Sequence, residues 1–168
     1  MIGEGGELWN LLTLQSIANI RLGCSSTKAT ELMGDPALRC EVSASHPVLK
    51  NHLTLLFGRF QFNFEYDKLV AINYHLGETL FEILPSRISE SIESDLDEIH
   101  VYEKFLSCLD SSNILFTQFD DKFFKKVRIK ETQVSFMKSL NLPECRKHGR
   151  EIRYENYMLR AIRIGNTI

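Results

Sequence analysis

Five histidines (His46, His52, His75, His100 and His148), four cysteines (Cys24, Cys40, Cys108 and Cys145) and 22 acidic residues are the chain's candidates for chemistry. Two metal-binding histidines on one helix stand three or four residues apart, and no two histidines here do. The cysteines form no Cys-x-x-Cys pair. Cys145-x-x-His148 is one isolated pair of ligand types and reads as coincidence. No Gly-x-Ser-x-Gly elbow and no glycine-rich phosphate loop is present. His100, close to Asp97, Glu103 and Lys104, reads as a solvated surface histidine, with a salt bridge or a general base as the alternative. The spacing therefore predicts no catalytic residue, no metal and no cofactor. An enzyme whose acid and base meet only in three dimensions stays open as an alternative.

The charge is segregated instead. Residues 1–77 carry six basic and seven acidic side chains, residues 78–112 two and nine, and residues 113–168 twelve and six. A near-neutral block, an acidic connector and a basic block follow one another. The acidic and basic segments either pack against each other or one of them faces a partner of opposite charge. Glu90, Glu93, Asp95, Asp97 and Glu98 are the candidate partner-binding surface, with a solvated helix face as the plain alternative. The formal net charge of −2 argues against a dedicated nucleic-acid binder.

These acids need an element to hold them. With 168 residues, 43% hydrophobic and 25% charged, the chain has the composition of a globular protein that needs no metal or disulfide staple. Ile88, Ile92, Leu96, Ile99, Tyr102, Leu106 and Leu109 recur at spacings of three and four. That stripe predicts one amphipathic helix over 86–109, capped by Ser86 or Ser89, with acids in its early turns where the helix dipole favours them. Phe60, Phe62, Phe64 and Tyr66 alternate with Gln61, Asn63 and Glu65, which predicts a strand with a buried aromatic face. A turn at Tyr66-Asp67-Lys68 and a return strand from Leu69 to Leu76 complete a hairpin. Ser25 reads as the N-cap of a short helix ending at Gly34-Asp35-Pro36.

An internal repeat is visible. Ile20-Arg21-Leu22 recurs as Val127-Arg128-Ile129, Pro36 falls on Pro143, and Leu69-Val70-Ala71-Ile72 recurs as Leu159-Arg160-Ala161-Ile162. In that alignment Thr132 caps a second helix, with Phe136, Met137 and Leu140 on its apolar side and Asn141 at its end. A second hairpin turns at Glu155-Asn156 and returns from Tyr157 to Ile164. The joint from Ala37 to Phe57 is the place for an extra strand or a binding loop, and Ile114-Leu115-Phe116 is a candidate strand start. The expected fold is α+β: two helix-plus-antiparallel-hairpin repeats joined by a long amphipathic helix. Its units are 1–84, 85–112 and 113–168, or one continuous domain.

No apolar run reaches the ~18–20 residues of a membrane span. The start, Met1 to Glu7, lacks the positive region of a signal peptide, and the scattered cysteines read as free thiols. The expectation is a cytoplasmic protein with no membrane and no nucleic acid among its partners.

The stretch Ile20-Arg21-Leu22-Gly23-Cys24-Ser25, followed by Leu32-Met33-Gly34-Asp35-Pro36 and Phe57-Gly58-Arg59-Phe60-Gln61-Phe62-Asn63-Phe64, resembles the α/β unit of beta-lactamase-inhibitor proteins and outer-membrane-assembly lipoproteins. Small bacterial toxin-neutralising immunity proteins share this half-motif. The resemblance covers residues 17–77 and implies a tandem of two such units. It also implies a cytosolic immunity protein that binds and neutralises a cognate toxin without chemistry of its own; the acidic segment suits a nuclease toxin with a basic cleft, and two units in one chain favour a monomer. An acidic, dimeric secretion chaperone for an effector is the alternative binding function.

Overall fold

The alternating phenylalanines organise the molecule. In the computed structural model, which describes residues 6–42, 51–76, 84–138 and 157–165, Phe60, Phe62 and Phe64 lie on a strand, β5 (Phe60–Glu65), and are fully buried. Before β5 the chain runs through helix α1 (Glu7–Leu14), a small hairpin of β1 (Ser16–Ile17) and β2 (Ile20–Arg21), helix α2 (Ser26–Met33), and strands β3 (Leu38–Val42) and β4 (His52–Phe57). After it come β6 (Lys68–His75), helices α3 (Ser86–Ile99) and α4 (Tyr102–Ser111), and strands β7 (Thr117–Asp120), β8 (Phe124–Ile129), β9 (Thr132–Lys138) and β10 (Tyr157–Gly165). The fold is α+β, as the sequence indicates.

Among the described residues, β3 to β10 form one antiparallel sheet of eight strands in the order β3-β4-β5-β6-β10-β9-β8-β7. Two four-stranded meanders thus meet at their last strands. Each half has two helices before its four strands, and in the first half the small β1–β2 hairpin separates the helices. Their inner hairpins match in detail: β4 and β8 have six residues each, the closing pairs are Phe57 with Phe60 and Ile129 with Thr132, and each turn has two residues. The first turn residue has positive φ in both, 57° at Gly58 and 53° at Lys130. At the seam Asn73 faces Arg163. Each seam strand carries one bulged residue, Val70 in β6 and Arg160 in β10.

The bulges serve the core. An extra residue shifts side-chain parity by one, so Leu69, Ile72 and Tyr74 share a face, as do Leu159, Ile162 and Ile164. That face, with Leu55, Phe57, Val127, Val134 and Phe136, packs against Leu8, Leu11, Leu12, Ala29, Met33, Ile88, Ile92, Leu96, Phe105 and Leu109 from the four helices in one apolar cluster. No described helix covers the opposite face of the sheet.

Several expectations change. The helix over 86–109 is two helices, broken at His100-Val101. Val101 is extended and bridges Met158, and the His100 carbonyl accepts from the Leu159 amide at 2.7 Å. Pro85, not Ser86 or Ser89, is the N-cap of α3, and no side chain caps it. Thr132 does not cap a helix, and Phe136 and Met137 lie on β9, whose Thr132, Val134 and Phe136 are buried with a period of two. The repeat therefore fails in the 20–36 register, where a helix would align with a strand, while Leu69–Ile72 and Leu159–Ile162 do occupy the two seam strands. The strand expected from Ile114 begins at Thr117. The 37–57 joint supplies β3 and β4. Leu140, Asn141, Cys145, His148, the Glu155-Asn156 turn and His46 lie outside the described residues. Ser25 caps α2 as expected, accepting from the Lys28 amide, and the Tyr66-Asp67 turn closes the β5–β6 hairpin with both residues at positive φ.

Candidate functional site

The sequence places five acids on α3, and the helix geometry sorts them. At about 100° per residue, Glu90, Glu93 and Asp97 fall within about 60° of one another. They lie opposite Ile88, Ile92, Leu96 and Ile99, which are buried. All three acids are exposed and make one stripe along the outer face of α3. Lys104 reaches the end of this stripe, with Nζ donating to the Asp97 carbonyl at 2.7 Å.

Asp95 is not part of that surface, which corrects the sequence expectation. It is 5% exposed and points inward. Its Oδ2 accepts from the Leu8 amide at 2.8 Å and from the Trp9 amide at 3.2 Å. Ser91 Oγ accepts from the Glu7 amide at 2.9 Å. No side chain of the N-cap residue Gly6 performs this task, so α3 supplies the missing acceptors for the free amides of α1. A Cβ on Gly6 would lie 1.8 Å from the Asp95 carboxylate, so the approach requires glycine. Burial pushes the Asp95 carboxyl above the usual carboxylate range, against the opposing pull of the Trp9 and Leu8 amides. Of Glu98 the structure describes only the backbone, within α3.

The helix-free face of the sheet is a second, polar surface that the sequence reading missed. Gln61 Nε2 and Thr54 Oγ1 both donate to Asn63 Oδ1 at 3.0 Å, and His52 Nε2 lies 3.2 Å from Thr54 Oγ1. Because the threonine hydroxyl spends its proton on Asn63, the bond from His52 requires the proton on Nε2. Among the described residues His52 Nδ1 is then a buried acceptor with no partner, as is Asn73 Oδ1 at the seam. Beyond the seam the same face turns basic and aromatic, with Lys126, Arg128 and Arg163. The Arg128 guanidinium lies 5.2 Å from the Phe119 ring centre. A depression of about 760 Å³ opens there, its lining including Val70, Arg128, Lys130, Glu131, Gln133 and Arg163. The alternation of Gln61 and Asn63 with the phenylalanines was the one sequence signal for this face.

Among the described residues the histidines and cysteines lie on separate elements. His100 directs Nδ1 to the Leu96 carbonyl, at 2.6 Å. Cys24 and Cys40 are free thiols, Cys108 is in no disulfide, and burial pushes Cys24 up, away from the thiolate. Among the described residues no three His, Cys, Asp or Glu side chains gather as metal ligands would. No described helix is long and apolar enough to cross a membrane. No protein-family model, no curated protein and no solved structure matches the chain. The described residues thus carry two charged surfaces of opposite sign, an acidic stripe on α3 and a basic patch on the helix-free face of the sheet.

Proposed function

We propose that the chain is a toxin-neutralising binding protein of the immunity-protein kind, working in the cytoplasm without chemistry of its own. The observation that carries this reading is the stripe of Glu90, Glu93 and Asp97 on the outer face of α3. Three carboxylates about one helical turn apart present negative charge at intervals that a basic cleft can receive. A nuclease toxin has such a cleft, because it must hold phosphates. Long-range attraction between the two surfaces speeds encounter and is weakened by salt. The stripe stands on a helix tied to α1 through Asp95 and Ser91, so the charges are held in place rather than carried on a loop.

The test is co-expression with the product of the adjacent gene. A one-to-one complex on size-exclusion chromatography, together with rescue of growth, is the expected result. The double charge reversal Glu90→Lys/Glu93→Lys then slows association by about tenfold or more at low salt and flattens its salt dependence. A complex whose affinity ignores both the reversal and the salt removes α3 from the interface. Failure to form a complex, with no growth effect of the neighbour, removes the immunity reading itself.

A further inference from the structure

Among the described residues the sheet ends at two rims, β3 and β7, each paired on one side only. Edge strands usually carry devices against joining another strand, such as lysine, proline, a bulge or a covering element. β3 has no lysine, proline or bulge within Leu38-Arg39-Cys40-Glu41-Val42, and its two charges, Arg39 and Glu41, are of opposite sign. It pairs with β4 through all five residues with no register shift, and Leu38 to Glu41 are exposed. Leu38, an apolar residue at a rim, is 50% exposed.

Its side chains are also ordered as their own complement. When a second β3 runs antiparallel to the first about a two-fold at Cys40, Leu38 faces Val42 of the other copy, Arg39 faces Glu41, and Cys40 faces Cys40. Arg39 Nε already donates to Glu41 Oε1 at 2.7 Å within one chain, so both charges sit on one side of the strand. Across the two-fold the four charges form a ring in which every neighbour has the opposite sign. A slip of two residues puts Arg39 against Arg39 or Glu41 against Glu41, and a slip of one moves the charges to opposite faces. The register is therefore specified by charge. β7 has no such symmetry, since Asp120 is its one charge and a second β7 offers it no basic residue.

We infer that β3 is a dimerisation strand: two copies of the chain join antiparallel about Cys40 into one continuous sheet. Five residues from each copy make a small contact compared with the ~1,200–2,000 Å² of stable complexes. The dimer is therefore reversible and forms in the micromolar to millimolar range.

Sedimentation equilibrium of the full chain tests this, because the mass should rise above the 19.4 kDa of one chain with concentration. Arg39→Glu and Glu41→Arg each make two cross-strand pairs repulsive and weaken association by about tenfold or more. The double exchange Arg39→Glu/Glu41→Arg restores the ring and the dimer, which separates loss of pairing from loss of fold. Facing α-carbons in such a pair are about 4.5–5.5 Å apart. A short bis-maleimide therefore links two copies through Cys40, and Cys40→Ser abolishes the product. A single mass up to millimolar concentration overturns the inference. So does a dimer that both single reversals leave intact, which would place the contact at β7 or elsewhere.

Discussion

Replacing Asp95 tests whether α1 is held by a residue 87 positions away. Alanine removes both of the carboxylate's bonds. It leaves the Leu8 amide, on a fully buried residue, without a partner. An unsatisfied buried donor costs about 1–3 kcal/mol, and loss of a helix cap about 0.5–2 kcal/mol. These are two accounts of the same bonds and do not add. Removing a buried negative charge offsets part of the loss. A net cost of about 2 kcal/mol follows, or about 4–8 °C in Tm for a domain of this size. Asparagine keeps one acceptor and carries no charge, so Asp95→Asn stays within about 1 kcal/mol of the parent at pH 7. The pH dependence has a definite sign. The folded pKa lies above the reference 3.8, so Asp95 contributes most below pH 3.8 and loses that contribution as pH rises through its folded value. Stability relative to Asp95→Asn should therefore shift in favour of the asparagine variant on going from pH 3 to pH 7. Urea unfolding at several pH values, with unchanged m, measures all of this. An alanine variant within 0.5 kcal/mol of the parent, or an asparagine variant as damaged as the alanine one, would refute the capping argument.

Three further outcomes are expected. Asp67 accepts from the Ser26 amide and hydroxyl at 2.9 and 2.6 Å, which lowers its pKa below 3.8. Asp67→Asn should therefore be less stable than the parent at pH 7, and the gap should close as pH falls through that lowered value. Lys130 sits at φ 53° where its counterpart in the other hairpin is glycine; Lys130→Gly should raise stability by about 0.5–1 kcal/mol in denaturant titration. A Cβ on Gly165 would lie 2.1 Å from the Val70 carbonyl at φ 80°, so Gly165→Ala should open the seam and cost about 2–3 kcal/mol, read by loss of amide-exchange protection on both seam strands.

What was legible follows from locality. The hairpin from Phe60 to His75 declares itself, because its period of two and its two-residue turn lie within sixteen consecutive residues. The α3 stripe is equally local, since Glu90, Glu93 and Asp97 need only helical spacing. That spacing also places Asp95 seven residues after Ile88 and one before Leu96, on the apolar side. Its charge suggested a surface role, but its angle on the helix did not. Thr132 to Met137 fits two periods, with Thr132 and Phe136 one helical turn apart and Thr132, Val134 and Phe136 alternating. Pairing with β8 and β10 decides between them, and no window of sequence contains that information. The same holds for the break at Val101, imposed by Met158, and for α1, whose cap lies in the other half of the chain. The polar face was hidden because His52, Thr54, Gln61 and Asn63 come from two strands, and only their pairing assembles the network.

The central seam has a consequence for synthesis. β6 ends at His75 and finds its inner neighbour only in β10, which begins at Tyr157. While a ribosome makes the intervening residues, the first meander has an unsatisfied rim where the finished molecule has its middle. The acceptor for the α1 amides arrives meanwhile, with Asp95. Folding is then timed by translation: the first half must wait, with its phenylalanine face sheltered by little more than its own two short helices. Slow codons or a stall between these strands should lengthen that exposure. The yield of native protein should therefore depend on elongation rate more than on the stability of the finished sheet.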